Sequence, residues 1–338
     1  MTGPLLRVRD LSVEFAGEEG TVRAVDGVGF DVAPGEVLGL VGESGSGKSV
    51  TAMSVLGLIR PPGRIAGGRV EFRGTDLRTL PEREMRRIRG AEIAMVFQDP
   101  MTALNPVLTI GAQIAEAVRL HDRKVSARAA RARAADLLRA VGVPDPGQRV
   151  RQYPHEFSGG MRQRAMVAMA IANGPALIIA DEPTTALDVT VQAQVLALLS
   201  TAQRETGAAT VLITHDLGVV AEMADRVVVM YAGRVMEHAD VRTIFDRPRH
   251  PYTRGLLESL PRLDGDAAEL PAIPGTPPGM ADPPDGCPFH PRCPMARDRC
   301  RTERPPLRDV AAGHASACHF HEELGGRGAA AAGEESHA

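Results

Sequence analysis

Apolar and polar positions alternate along Leu6 to Phe15 and Val22 to Val32, between turns of Gly and Glu, which is the period of antiparallel strands. Glu36 to Val41 is instead a short apolar run, the pattern of a strand covered on both faces. From Ser49 to Ile59 the spacing becomes helical, and Pro61-Pro62-Gly63 ends it. Gly68 to Phe72 and Glu92 to Phe97 read as further strands. From Ile110 to Ala140 the pattern is helical again, with Arg119, Arg123, Lys124, Arg128, Arg131, Arg133 and Arg139 among alanines, a solvated helix face. Strands and helices then alternate: helix Ser158 to Ala172, strand Ala176 to Ala180, helix Val189 to Arg204, strands Thr210 to Thr214 and Arg226 to Tyr231. That alternation predicts a mainly parallel sheet covered on both faces, with any ligand at the carboxyl ends of its strands.

From His250 the composition changes. Pro271 to Pro284 is a proline-rich connector, a compact Cys/His/Pro segment runs to about His321, and the Gly/Ala/Glu tail Gly325 to Ala338 has no means of packing and is expected to be disordered. The 338 residues allow one large α/β domain with a small appendix, and 43% apolar residues suffice for its core. A net charge of −3, no Trp and 3% aromatic residues argue against nucleic acid as partner. The N-terminus lacks the pattern of a secretory signal, so the expected location is the cytoplasm. The longest uncharged stretch, Ala165 to Ala180, is short for a membrane span and is interrupted by Asn173, Gly174 and Pro175; a membrane role would come through a partner.

Chemistry concentrates in two places. Gly42-Glu43-Ser44-Gly45-Ser46-Gly47-Lys48-Ser49 matches G-x-x-x-x-G-K-[ST] directly after a predicted strand and before a helix, the setting of a phosphate-binding loop. Its glycines let successive N–H groups turn toward phosphates, Lys48 adds a positive charge, and the Ser49 hydroxyl completes a Mg²⁺ shell. Asp181 and Glu182 close the apolar strand Ala176 to Ala180; Asp181 suits Mg²⁺, and Glu182 suits the orientation or deprotonation of an attacking water.

With these motifs the chain resembles the ATP-binding subunit of an ABC transporter. Phe157-Ser158-Gly159-Gly160-Met161-Arg162-Gln163-Arg164 is similar to that family's signature. The resemblance implies that Ser158, Gly159 and Gly160 meet the γ-phosphate held by an opposite subunit. It further assigns Gln98 to Mg²⁺ and the attacking water, Asp188 in Pro183 to Asp188 to a loop crossing to that subunit, His215 to the γ-phosphate and Phe15 to stacking on adenine. Two departures stand out: Met161 replaces the usual Gln, and Val50 replaces the common Thr, where its amide can still donate. Lys48, Ser49, Gln98, Asp181, Glu182 and His215 are all present, so active turnover is expected.

Three stretches, Phe97 to Pro106, Tyr153 to Arg164, and His250 to Arg254 with Ile273 to Pro278, resemble the oligopeptide/dipeptide importers; nickel and glutathione importers share the pattern. Met101 to Pro106 would help form a groove for a cytoplasmic permease helix. The implied fold is a P-loop NTPase cassette over 1–249, with an antiparallel β subdomain and a helical subdomain at about 99–165. A Cys-containing C-terminal domain follows at 250–324, then the tail at 325–338. The implied partners are a second, related but different ATPase, two transmembrane permease subunits and an extracytoplasmic solute-binding protein, at the cytoplasmic face of the inner membrane. A soluble ABC ATPase acting on nucleic acid or ribosomes is the rival class; it lacks support because this chain has neither a long coiled coil nor two cassettes.

Cys287, Cys293, Cys300 and Cys318 are spaced C-x5-C-x6-C-x17-C. A metal is a better reading than disulfides in the cytosol, and the spacing leaves Zn²⁺ and an iron–sulfur cubane open. His290, His314, His319 and His321 lie nearby. The importer resemblance implies a [4Fe–4S] cluster there.

Overall fold

The computed structural model describes residues 3–17, 20–185, 188–260 and 272–326. Ala186 and Leu187, part of the predicted connector at Pro271, and the tail beyond residue 326 lie outside the described residues.

Two sheets organise the chain. The smaller is antiparallel, in the order β2 (Gly20–Val32), β1 (Leu6–Gly17), β4 (Gly63–Phe72), β5 (Thr75–Asp76). The larger runs β11 (Arg308–Ala311), β12 (His314–Ser316), β10 (Arg234–Asp240), β9 (Arg226–Tyr231), β3 (Val37–Val41), β8 (Ala209–Thr214), β7 (Leu177–Asp181), β6 (Ile93–Val96). Its five strands from β9 to β6 are parallel.

The apolar runs form this sheet because both of its faces are covered. Along β7, Leu177 and Ile179 enter one core with Leu38, Leu40 and Val211, whereas Ile178 and Ala180 enter the other with Val96, Leu212 and Val229. Each such Leu or Ile contributes roughly 1.5–3 kcal/mol by leaving water, so neither face tolerates a register slip. The predicted helical stretch Ile110 to Ala140 is two helices, Ile110–His121 and Ala127–Ala140, capped by the hydroxyls of Thr109 and Ser126. Ile110, Ile114 and Val118 bury one stripe, and Ala130, Ala134 and Leu138 another. The seven basic side chains of this stretch are exposed, as a solvated face requires.

The largest difference from expectation lies at the C-terminus. The segment expected to stand as a small domain adds β11 and β12 to the main sheet through β10, with Glu237 opposite Ser316. Cys287, Phe289 and Cys300 share one core with Tyr231 and Tyr252. β10 escapes the hydrophobic pattern because Glu237 and His238 interrupt it; Glu237 is fully buried, 2.7 Å from His314 Nε2 and bonded to the Arg249 amide.

Candidate functional site

Every predicted catalytic group sits at the carboxyl end of four neighbouring strands, β3, β8, β7 and β6, where a parallel sheet leaves a crevice. The loop after β3 supplies residues 42–47, the end of β7 Asp181 and Glu182, the residue after β8 His215, and the second residue after β6 Gln98. A cavity of about 820 Å³ opens there, lined by the backbone and side chains from Glu43 to Val50 with Gln98, Glu182 and His215.

Glycine is required by the loop's path. Gly42 has φ +152°, and a Cβ there would stand 2.1 Å from the Met230 carbonyl oxygen; Gly47 has φ +97° and would meet the Ala24 carbonyl at 2.6 Å. Gly47 caps helix Lys48–Val55, whose first N–H groups therefore open on the cavity. Lys48 Nζ donates to the carbonyl oxygens of Gly42 (2.7 Å) and Glu43 (2.9 Å) and to Ser46 Oγ (3.3 Å). Burial pulls its pKa below the usual lysine value, opposed by the charges of Glu182, Asp181 and Glu43.

Ser49 Oγ donates to Asp181 Oδ1 at 2.9 Å. Burial raises the Asp181 pKa, with the Ser49 hydrogen bond acting against it, then Glu182 raising and Lys48 lowering it. Two hard oxygen donors this close, beside a phosphate loop, fit Mg²⁺. Glu182 has a left-handed backbone, φ +45°, a cost on the order of 1–3 kcal/mol that turns its side chain out of the strand end. Gln98 Nε2 (2.8 Å) and Thr185 Oγ1 (2.9 Å) both donate to Glu182 Oε2, and Oε1 faces His215 Nδ1 at 3.8 Å. Thr185 was visible only as one letter of the loop after the acids; nothing in its spacing announced this bond.

The predicted trans elements stand elsewhere. Ser158 caps helix Gly159–Ile171 by accepting from the Met161 amide at 3.4 Å, and Ser158 and Gly159 are exposed. Gly160 is close-packed, since a Cβ would meet Val191 Cγ1 at 2.7 Å. Asp188 is exposed and caps helix Val189–Thr206 through the Val191 amide at 3.0 Å. None of these four lines the chain's own cavity. Phe15 pairs opposite Val22 in the β1–β2 ladder, and its ring packs over Gly63; Val22 and Ala24, not Phe15, line the cavity wall at that end.

Pro277 and Met280 also line the cavity, and Tyr252 Oη accepts from the Glu43 amide at 2.8 Å. Tyr252 and Pro277 fall in the stretches that resemble peptide importers, but only the folded chain shows that they reach the phosphate loop.

The four cysteines line one small void of about 20 Å³ with His290, His319 and Phe320. Burial pushes the Cys287 thiol up to about 11, that of Cys318 up to about 12, and that of Cys293 upward. Such thiols are neutral near pH 7, and a metal would have to displace their protons. The soft donor set fits a thiolate-bound metal, yet among the described residues no three ligating groups are gathered around a single ion position.

A phosphate loop, an acid pair at a strand end two places along the same sheet and a capped signature helix with an exposed N-terminus define a cassette-type nucleoside triphosphatase. Residues 25–185 match the ABC transporter family, and residues 236–300 match the oligopeptide/dipeptide transporter C-terminal region. Over 324 residues the chain is 53% identical to the dipeptide transport ATP-binding protein DppD of Escherichia coli strain K12, covering 96% of this chain and 98% of that one. It is 56% identical over 291 residues to DppD of Bacillus subtilis strain 168, covering 86% and 87%. A solved dimeric, post-hydrolysis ATP-binding cassette bound to ADP and Pi aligns with a TM-score of 0.64 at 27% identity, over 70% of this chain and 99% of that one. The chain belongs to the ABC transporter ATP-binding family, and is an ABC-type ATPase.

Proposed function

We propose that this chain is the ATP-hydrolysing subunit that powers a di- or oligopeptide importer. The observation that carries the reading is Glu182, held by two donors on one oxygen beside the Asp181–Ser49 pair and at the mouth of the phosphate loop. The names of its DppD relatives and the match to the oligopeptide/dipeptide C-terminal region favour peptides as cargo.

In this reading the amides of Gly42 to Ser49 and Lys48 bind the phosphates, and Val50 adds one more N–H. Ser49, Asp181 and Gln98 would hold Mg²⁺, which supplies charge neutralisation for the departing phosphate. Glu182 orients and deprotonates the attacking water, using the oxygen that Gln98 and Thr185 leave free; His215 reaches the same water and the γ-phosphate. Phe15 backs the Val22 wall at the adenine end. Ser158, Gly159 and Asp188 face outward because, with Gly160 beside them, they complete the site of the second ATPase, and its counterparts complete this one. ATP with its γ-phosphate favours the closed pair, and the pair reopens after hydrolysis.

The ATPase pair works with two permease subunits and a solute-binding protein at the cytoplasmic face of the inner membrane; no described helix is long and apolar enough to cross a membrane. The four cysteines hold a [4Fe–4S] cluster, with Zn²⁺ the alternative. Support comes from their convergence and soft chemistry, and a cubane spreads its ligands more widely than the ~2.3 Å bonds of one zinc. Affinity purification in mild detergent tests the assembly: permeases and a second ATPase should accompany the chain and hydrolyse ATP, whereas recovery of ribosomes or DNA instead overturns the reading.

A further inference from the structure

Arg292 lies 249 residues from Glu43 in sequence, yet its guanidinium grips that carboxylate with both arms, Nη1 to Oε2 at 2.6 Å and Nη2 to Oε1 at 3.0 Å. Arg292 itself is buried, with a side-chain exposure of 5%. Its other hydrogens are used too: Nε donates to the Pro274 carbonyl at 2.9 Å, Nη2 to the Ile273 carbonyl at 3.3 Å, and Nη1 to Tyr231 Oη at 3.3 Å. The backbone of the same loop residue is held separately, Glu43 N–H donating to Tyr252 Oη. Tyr252 is wedged among Tyr231 and Phe289, with ring centroids 4.7 and 5.3 Å away, and its own amide donates to His250 Nδ1 at 3.0 Å. Met280 and Pro277, from the connector that Arg292 stitches down, form part of the nucleotide cavity's wall.

Glu43 is the second residue of the phosphate loop and lines the cavity that must receive a triphosphate. A carboxylate there repels the ligand unless a fixed cation cancels it, and the cavity's own lysine, Lys48, donates to the loop carbonyls and is the cation assigned to the phosphates. A bidentate guanidinium is the group that cancels such a charge and fixes its orientation together. We propose that Arg292 is a positioning residue of the nucleotide site: with Tyr252 it neutralises and anchors Glu43, so that the C-terminal segment sets the affinity of the phosphate loop for ATP.

This inference rests on the cavity being the ATP site. Titration of the full-length chain with Mg·ATP separates the two claims: no binding by the unaltered chain defeats that reading, while binding unaffected by the variants defeats only this inference. Arg292→Gln is expected to weaken ATP binding roughly tenfold, about 1.4 kcal/mol. Adding Glu43→Gln to that variant should restore most of the affinity, because the repelling charge is then gone; a double variant as weak as Arg292→Gln alone overturns the proposal. In the assembled transporter Arg292→Gln should raise KM for ATP with kcat within about twofold of the unaltered complex, whereas loss of folded protein alone lowers kcat and leaves KM in place. Should Arg292→Gln not fold, Tyr252→Phe carries the test, since it removes one hydroxyl and no charge. It is expected to raise KM about threefold, and an unchanged KM overturns the proposal.

Discussion

The phosphate loop and the cysteine segment solve opposite problems. At the loop, eight consecutive residues make nearly the whole anion cradle, and four adjacent strand ends bring the remaining groups within hydrogen-bond reach. Around the cysteines there is little regular structure: a void lined by scattered residues between His250 and Phe320, with burial pushing the Cys287 and Cys318 thiols upward. The first site is built by the loop's own backbone; the second is four thiols brought to the rim of one small void. What joins them is one short stretch, because Arg292, which holds the loop, is the neighbour of Cys293.

The contrast is broken most severely by Glu182→Gln. Turnover should fall about 10²–10⁴-fold while ATP is still bound, as measured by steady-state phosphate release beside nucleotide binding; unchanged hydrolysis removes Glu182 as the base. Cys300→Ser acts at the other region. Anaerobically purified chain is expected to contain iron with sulfide, and the variant to lose it; zinc without sulfide in the unaltered chain would decide for the alternative. The same variant should melt several degrees lower while its unoccupied phosphate loop keeps its fold, since a buried hydroxyl without a partner costs about 1–3 kcal/mol.

Acid sharpens the comparison further. Burial lowers the His250 pKa to about 3, against an ordinary value of 6.5, so the unfolded chain binds more protons than the folded one between these values. Stability from this residue is present above pH 6.5 and lost as pH falls toward 3, on the order of a few kcal/mol. His250→Asn keeps an acceptor for the Tyr252 amide and should flatten this part of a denaturation-against-pH curve; an unchanged slope would remove His250 as its source. The smallest effect belongs to the adenine wall: Phe15→Leu should change KM for ATP by less than about threefold, whereas Val22→Trp, pointing bulk into the cavity, should raise it more, by a factor of about ten. The reverse ranking would return the adenine contact to the Phe15 ring.

The same contrast explains what could be read before folding. The parallel core was legible because β3, β7 and β8 are apolar on both faces, and the ATP site because its chemistry depends on consecutive residues such as Gly47-Lys48-Ser49 or Asp181-Glu182. β10 was hidden by Glu237, whose burial makes sense only once His314 stands beside it from the far end of the chain. Arg292 stands in the Cys/His/Pro segment and Met280 in the connector; their contacts come from chain folding over hundreds of residues, which no local spacing encodes. Phe15 shows what a local reading leaves open: strand pairing sets Val22 opposite it, and Val22 lines the cavity beside the ring's position.

The central claim is that ATP cleavage at Glu182 drives peptide across the membrane. The direct measurement is uptake of a labelled dipeptide into vesicles containing the complete transporter and its solute-binding protein, with internal Mg·ATP, for the unaltered chain and for Glu182→Gln. The account expects uptake in step with phosphate release, and neither in the variant; dipeptide accumulation against its gradient by the Glu182→Gln complex would contradict it.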